Sequence, residues 1–345
     1  MTQKLLSIND LSILLPPGAD RHYAVQDIGL ELHSGETVCV VGESGSGKSL
    51  TARAVMGLLP APHVRVDKGE IFFGGEDITK VSYERLRGLR GSEISMIFQE
   101  PMTALNPVMT IGDQIDKIFR YHVLMTAKER AKKALSLLVD VNLPDPAKII
   151  DAYPHELSGG QRQRSMIAMA LALGPKILIA DEPTTALDVT TQAQILQLIK
   201  DMQKRLDTGV LFITHDFGVV ADIADRVVVM QDGKIVETGT AKQVLQTPTH
   251  PYTKSLIAAI PRLKPRKARS RASEAVLTTE GVCKSFGGGI SFFGLGRANR
   301  EVKAVQNVQI ELRRGETLGV VGESGSGKST LARCVIRLID SDEGK

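Results

Sequence analysis

Tryptophan is absent from the 345-residue chain, aromatic residues make up 4% of it, and cysteine occurs three times, at Cys39, Cys283 and Cys334. The three thiols are scattered with no CxxC pair, so neither a disulfide framework nor a cysteine-based zinc site is expected. They read as reduced thiols of a cytosolic protein. Long apolar runs are also missing: no segment approaches the roughly 18 uninterrupted apolar residues that mark a membrane-spanning helix. The N-terminal Met1-Thr-Gln-Lys-Leu-Leu-Ser7 lacks the basic-then-apolar pattern of a secretory signal. Any membrane role is therefore expected to be peripheral. An excess of one charge is lacking as well. Lys and Arg number 43 against 39 Asp and Glu, a net charge of +4, which gives little support to nucleic-acid binding. Most of that excess lies in Arg262-Leu-Lys-Pro-Arg-Lys-Ala-Arg-Ser-Arg271, a run that reads as a solvated linker rather than a lipid or nucleic-acid patch.

What is present is ordinary globular composition, 42% apolar and 24% charged, in a chain long enough for two domains. A long internal repeat organises it. Ala24-Val-Gln-Asp-Ile-Gly-Leu-Glu-Leu32 returns as Ala304-Val-Gln-Asn-Val-Gln-Ile-Glu-Leu312, and Gly35-Glu-Thr37 as Gly315-Glu-Thr317. The octapeptide Gly42-Glu-Ser-Gly-Ser-Gly-Lys-Ser49 then recurs unchanged as Gly322-Glu-Ser-Gly-Ser-Gly-Lys-Ser329. The period is far too long for a solenoid, so this is a duplicated domain. The second copy matches the first only to about residue 69 of the latter, and a tandem protein truncated in its second domain is expected. The expected boundaries are a first domain over 1–262, a basic linker over 263–275 and a partial second domain over 276–345.

Glu36-Thr-Val-Cys-Val-Val41 is a short β-rich apolar run of the kind that forms a buried parallel strand. A GxxxxGK[ST] loop follows, and then a helix-compatible stretch from Ser49 to Leu59. Strand, loop and helix in that order are the setting that confirms a phosphate-binding P-loop. Its amides and the helix N-terminus converge on phosphate oxygens, with Gly42, Ser44, Gly45, Ser46 and Gly47 lining the cradle. Gly45 and Gly47 are expected to let the backbone approach closely. Lys48 is suited to the β- and γ-phosphates, and the Ser49 hydroxyl to Mg²⁺. Gly322, Gly325, Gly327, Lys328 and Ser329 repeat the cradle.

Lys176-Ile-Leu-Ile-Ala-Asp-Glu182 is a second apolar strand, ending in two acids. Alone, such a pair is equally well a solvated turn. Because ligands in open α/β sheets bind at the carboxyl ends of strands, the pair falls beside the P-loop. Asp181 is suited to holding Mg²⁺ through water, and Glu182 to polarising an attacking water. Between the P-loop and this strand lies Leu157-Ser-Gly-Gly-Gln161, followed by a helical run from Ser165 to Leu173 that Gly174-Pro175 stops. The pentapeptide reads either as a loop and cap or as a second anion site formed by Ser158, Gly159, Gly160 and Gln161, serving a nucleotide held by another domain.

This combination resembles the nucleotide-binding domains of ABC transporters over nearly the whole first copy. Gly42–Ser49 looks like Walker A, Leu157–Gln161 like the signature motif, and Ile177–Asp181 like Walker B with Glu182 as catalytic base. The resemblance implies further roles: Gln99 as the Q-loop residue touching Mg²⁺, Asp188 in an Ala186-Leu-Asp188 D-loop, and His215 after Val210–Thr214 as the switch histidine. Tyr23 is its candidate for stacking on adenine. The implied fold is α/β, with a RecA-like core, an antiparallel β subdomain and a helical subdomain, followed by a partial second copy. Between Pro107 and Glu156 the pattern turns helical, and Thr126-Ala-Lys-Glu129 has capping-box spacing.

Gln99-Glu-Pro-Met-Thr-Ala-Leu-Asn-Pro107 and Thr249-His-Pro-Tyr-Thr-Lys-Ser-Leu256 resemble the dipeptide/oligopeptide importer branch, with an importer-type extension over about 238–262. Some members carry a cysteine cluster after His-Pro-Tyr; only Cys283 stands in that region here, so no iron–sulfur cluster is expected. The implied protein is an ATPase with ATP and Mg²⁺, peripheral at the cytoplasmic face of a bacterial inner membrane. It would drive uptake of peptides or glutathione-like solutes. Two integral-membrane permeases, a periplasmic solute-binding protein and a second nucleotide-binding domain, in cis or from a homodimer, are the implied partners, with no nucleic acid. The rival readings are a soluble tandem ABC ATPase acting on ribosomes or DNA, and a nucleotide-binding remnant without turnover.

Overall fold

The computed structural model describes residues 3–185, 187–260, 274–287, 302–323 and 325–345. The whole basic run Arg262–Arg271, the linker up to residue 273, and Ala186 of the D-loop stretch lie outside these. Packing divides the chain into two compact units, one of Met1–Leu187 and Thr191–Pro261, the other of Asp188–Thr190 and Arg262–Lys345.

The first unit is built on strand β3 (Thr37–Val41), all five residues of which are buried. A run of Val and Cys with no polar alternation suits a strand covered on both faces. Parallel neighbours β8 (Gly209–Ile213) and β9 (Arg226–Gln231) flank it, and the six-stranded sheet runs β10–β9–β3–β8–β7–β6. β7 (Ile177–Asp181) and β6 (Ile94–Ile97) are parallel to the others, while β10 (Lys234–Thr240) is antiparallel to β9. The register matters for function. Val40 pairs with Ile213, Ile213 with Asp181, and Ala180 with Ile97. Four carboxyl ends therefore finish at one level, and the residues just beyond them, Gly42, Gln99, Glu182 and His215, enter the same space.

A second, antiparallel sheet orders β2 (Tyr23–His33), β1 (Lys4–Leu14), β4 (Arg65–Phe73) and β5 (Glu76–Asp77). Its Leu6, Ile8, Leu11 and Ile28 pack in one core with Ile177, Ile179 and Leu211 of the main sheet and with Ala52 and Val55 of α1 (Lys48–Val55). Helix α1 is shorter than the expected stretch to Leu59, because Gly57 takes a left-handed φ of 59° and turns the chain away. Helices α2 (Tyr83–Leu89) and α3 (Pro101–Ala104) flank β6.

The remaining helices enclose a second core. They are α4 (Ile111–His122), α5 (Ala127–Asp140), α6 (Pro146–Ile149), α7 (Gly159–Ala170), α8 (Val189–Leu206), α9 (Phe217–Ile223), α10 (Ala241–Gln246) and α11 (Pro251–Ala258). Ile115 and Phe119 of α4, Leu138 of α5, Ile167 of α7 and Ile195 of α8 meet there. The capping box expected at Thr126 forms, with the Glu129 carboxylate accepting from Thr126 N at 2.7 Å and the Thr126 hydroxyl from Glu129 N at 3.3 Å. Helix α7 starts six residues earlier than its apolar pattern suggests. Ser158 caps it, accepting from Gln161 N at 3.3 Å while Gln161 accepts from Ser158 N at 2.9 Å. Two satisfied end groups offset the poor helix propensity of Gly159 and Gly160.

The second unit pairs β11 (Ala275–Phe286) with β12 (Val302–Arg313) and adds α12 (Lys328–Val335) over a core of Val282, Val305 and Leu331. Its counterpart of β3 adopts no strand: Val321 is 91% exposed, whereas Val41 is fully buried. The corresponding run Thr317-Leu-Gly-Val-Val321 differs from Thr37-Val-Cys-Val-Val41 at two positions, and an apolar run forms a buried strand where neighbours supply its hydrogen bonds and cover both faces.

Candidate nucleotide site

The P-loop adopts a closed turn around its own lysine. Gly42 has φ 150° and Gly47 φ 101°, and any Cβ would meet Met230 O at 2.1 Å or Ala24 O at 2.8 Å respectively. These two positions require glycine on steric grounds. Gly45 needs glycine for its backbone, with φ 80°, and the space beside it is open. Lys48, buried, donates to Gly42 O and Glu43 O, both at 2.8 Å, and to Ser46 Oγ at 3.3 Å. Burial lowers its pKa from the ordinary lysine value, and the charges of Glu182, Asp181 and Glu43 oppose that shift.

Lys328 repeats this geometry in the second unit, at 2.7 Å from Gly322 O, 2.6 Å from Glu323 O and 3.2 Å from Ser326 Oγ. Gly327 holds φ 92° and Gly325 φ 80°. Ser329 is the second residue of α12 as Ser49 is of α1. The loop's shape is thus set locally by the octapeptide, since it survives where the preceding run is no longer a strand.

Asp181 ends β7 and accepts from Ser49 Oγ at 2.9 Å. Burial raises the Asp181 pKa, the adjacent Glu182 charge adds to the rise, and the Ser49 hydrogen bond only partly offsets it. Two neighbouring carboxylates and a hydroxyl at the foot of a phosphate loop, with the Lys48 charge close by, form an oxygen-donor set. A hard divalent cation such as Mg²⁺ suits that set, since it commonly takes one or two protein oxygens and completes its shell with phosphate and water.

Glu182 has a left-handed φ of 47°. Its carboxylate accepts from Gln99 Nε2 at 3.1 Å and from Thr185 Oγ1 at 3.0 Å, and faces His215 Nδ1 at 3.2 Å. Gln99 and His215, expected only through family resemblance, therefore converge on the acid that the strand pattern had marked. The Gln99 amide directs its donor end at Glu182.

Other expected residues stand apart from this cluster. Ser158, Gly159, Gly160 and Gln161 close on themselves as the cap of α7, linked towards Glu182 through Gln163, whose amide donates to Pro183 O. Asp188 immediately precedes α8. Tyr23 donates its hydroxyl to Asp67 at 2.9 Å, although the next residues, Ala24 and Val25, press on Gly47.

Several contacts carried no signal in the sequence. Arg21 donates to Gly45 O of the P-loop and borders a cleft of about 730 Å³ lined by Leu14, Pro16, His22, Pro62 and Arg65. Tyr252 of α11 accepts from Glu43 N at 3.1 Å. Thr185 and Gln163 brace Glu182 and its neighbour.

A parallel α/β sheet with a P-loop and a paired-acid strand end defines a nucleotide-binding NTPase. The ABC transporter family matches residues 25–185 and 305–345, and the chain belongs to it. A second family, the oligopeptide/dipeptide transporter C-terminal region, matches residues 236–285. The chain is 51% identical over 340 residues to the peptidoglycan transport ATP-binding protein YejF of Agrobacterium fabrum, with 99% of this chain and 62% of that protein covered. It is 44% identical over 371 residues to the glutathione import ATP-binding protein GsiA of Escherichia coli (strain K12), covering 99% and 59%. It thus spans about three fifths of these relatives' length. Among solved structures, the dimeric bacterial ABC transporter cassette MJ0796 superposes with TM-score 0.62 at 30% identity, covering 69% of this chain and 99% of that one. The post-hydrolysis dimer of MJ0796 bound to ADP and phosphate gives 0.61 at 29%, with the same coverage. Among the described residues, no helix is long and apolar enough to cross a membrane.

Proposed function

We propose that the first unit binds and hydrolyses Mg-ATP and that the protein is the motor subunit of an importer for peptides or peptide-like solutes. The observation that carries this reading is the convergence of Gln99, His215 and Thr185 on the Glu182 carboxylate, beside the Ser49–Asp181 pair and the buried Lys48. Lys48 and the loop amides bind the phosphates. Ser49, Asp181 and Gln99 hold Mg²⁺, which when bound neutralises charge on the phosphates. Glu182 accepts the proton of the attacking water, and His215 and Gln99 orient that carboxylate. The cleft beside Arg21, lined by His22, gives room for the nucleobase, and Tyr23, next in the chain, is the candidate to stack on it.

Residues 1–262 form a complete nucleotide-binding domain, 263–275 a linker, and 276–345 part of a second domain. Ser158, Gly159, Gly160 and Gln161, with Asp188, face a nucleotide across an interface with another nucleotide-binding domain. The match over 236–285 and the relatives named for peptidoglycan transport and glutathione import support the solute class. Two permeases and a solute-binding protein are the partners at the cytoplasmic face of the inner membrane. The second P-loop, with Lys328 tethered as Lys48 is, is a further phosphate-binding loop. The test is Mg-ATP hydrolysis by the chain and by Glu182→Gln: unchanged turnover in the variant sinks the assignment.

A further inference from the structure

Three features meet at the peptide joining Gly42 to Glu43. Its carbonyl accepts from Lys48 Nζ at 2.8 Å, and its N–H donates to the Tyr252 hydroxyl at 3.1 Å, so both ends are hydrogen-bonded in line. Gly42, at φ 150°, is the residue about which this peptide most easily rotates, since glycine meets no Cβ barrier. In the resting loop the donors of Lys48 are spent on loop oxygens. To meet a phosphate, Lys48 has to release at least one of them, and the released carbonyl is then free to turn.

Tyr252 is itself firmly placed. His250 caps α11 by accepting from Tyr252 N at 3.2 Å. Glu237 of β10 takes Thr249 N at 2.7 Å, Thr249 Oγ1 at 2.9 Å and His250 N at 3.1 Å. Burial and the Glu43 charge push the Tyr252 phenol above its ordinary pKa, outweighing the Glu43 N–H bond, so the phenol stays neutral at physiological pH. The second P-loop, built from the same octapeptide, holds Lys328 in the same way, so the local sequence sets the resting shape. The place of the Tyr252 hydroxyl is to hold the peptide when Lys48 moves.

We propose that Tyr252 is a positioning residue of the nucleotide site, latching the Gly42–Glu43 peptide so that Lys48 is delivered to the β- and γ-phosphates. This rests on the reading of the first P-loop as an ATP site. It also gives the His-Pro-Tyr segment a task within the ATPase, apart from any contact with a partner.

The test compares Tyr252→Phe with its parent, both in the full chain carrying Lys328→Ala so that only the first loop is read. Tyr252→Phe keeps the ring and removes the acceptor. With Mg²⁺ present, affinities for ATP, ADP and AMP are measured by competition with a fluorescent ATP analogue. Losing one hydrogen bond is expected to weaken ATP and ADP about fivefold and to leave AMP, which lacks the phosphates Lys48 reaches, unchanged. Amide hydrogen exchange at Glu43 is expected to quicken, while the melting temperature stays within about 2 °C of the parent. Equal ATP affinity in the two proteins overturns the latch, and so does an equal loss for AMP, which signals general loosening of the fold. A parent that binds no ATP overturns the nucleotide reading itself.

Discussion

Nδ1 of His215 lies 3.2 Å from the carboxylate of Glu182, across the gap between the ends of adjacent strands β8 and β7. The left-handed backbone of Glu182 makes this meeting possible. A non-glycine residue there costs about 1–3 kcal/mol, and the turn is held by Glu182 N donating to Ile213 O at 2.9 Å and Thr185 N to Glu182 O at 3.2 Å. Such strain at a strand end, maintained by surrounding bonds, aims the side chain into the site.

Glu182→Gln keeps shape and polarity but cannot take a proton. Nucleotide binding should persist while turnover falls by a factor of about 100 or more. His215→Ala, which leaves the base but removes its partner, should lower turnover and leave ATP affinity within about twofold. Steady-state hydrolysis alongside equilibrium binding separates the two. A His215→Ala protein that loses binding and turnover together would show that the pair holds the fold rather than the chemistry.

Asp181 predicts a pH-dependent exchange of stability for function. Its folded pKa is raised by burial and by Glu182, so the folded chain keeps a proton that the unfolded chain gives up. Stability from this group is present below the ordinary aspartate value of about 4 and is lost as pH rises through the raised value. Asp181→Asn removes that cost and can still accept from Ser49. The variant should therefore melt no lower than the parent near neutrality, with the gap closing towards pH 4. Mg²⁺ should at the same time cease to improve its ATP affinity. A clearly lower melting temperature at pH 7 would refute the electrostatic argument.

The parallel strands were readable in the sequence because strands covered on both faces leave apolar runs, as at Val38–Val41 and Ile177–Ala180. The P-loop was readable because its turn is local, as the second copy demonstrates. Helix α7 was misplaced at its start, since Gly159 and Gly160 read as a loop and the reciprocal Ser158–Gln161 bonds that overcome them are a matter of geometry. Gln99 and His215 became visible only by resemblance, because single polar residues after a strand carry no pattern of their own. Tyr252 and Glu43 are 209 positions apart, and nothing short of the folded chain reveals that one answers the other. Tyr23, named only through the resemblance, has its hydroxyl committed to Asp67.

The docking of α11 should survive acid longer than an ordinary carboxylate allows. Burial alone would raise the Glu237 pKa, but the amide and hydroxyl of Thr249 and the amide of His250 outweigh it and hold it at about 2. A depressed carboxylate contributes stability above its unfolded value, near 4.5, and loses it as pH falls towards 2. Glu237→Gln should consequently melt below the parent by a constant margin above about pH 4.5, the margin shrinking as pH falls further. Thermal unfolding at a series of pH values reads this directly. A margin that widens in acid would be incompatible with the assignment.

Hydrolysis by the 345-residue chain should depend on its concentration. The first unit supplies Lys48, Ser49, Asp181, Glu182, Gln99 and His215, brought together by the register of four parallel strands. What completes a nucleotide clamp in the reading above is the capped N-terminus of α7, with Ser158 and the Gly159 and Gly160 amides, offered from another domain. Leu-Ser-Gly-Gly-Gln occurs once in this sequence, at Leu157–Gln161, and within its own unit it is closed on itself by the Ser158–Gln161 box. A second molecule is then the donor for the Lys48 site. Specific ATPase activity should accordingly rise with protein concentration and level off once dimers predominate. Mixing Glu182→Gln chains with Ser158→Arg chains, each impaired alone, should restore part of the activity: in the mixed dimer, the intact Glu182 of one chain meets the intact Ser158 of the other. Dilution and mixing are read by the same phosphate-release assay. Constant specific activity in a sample that sediments as monomer would refute the two-chain site.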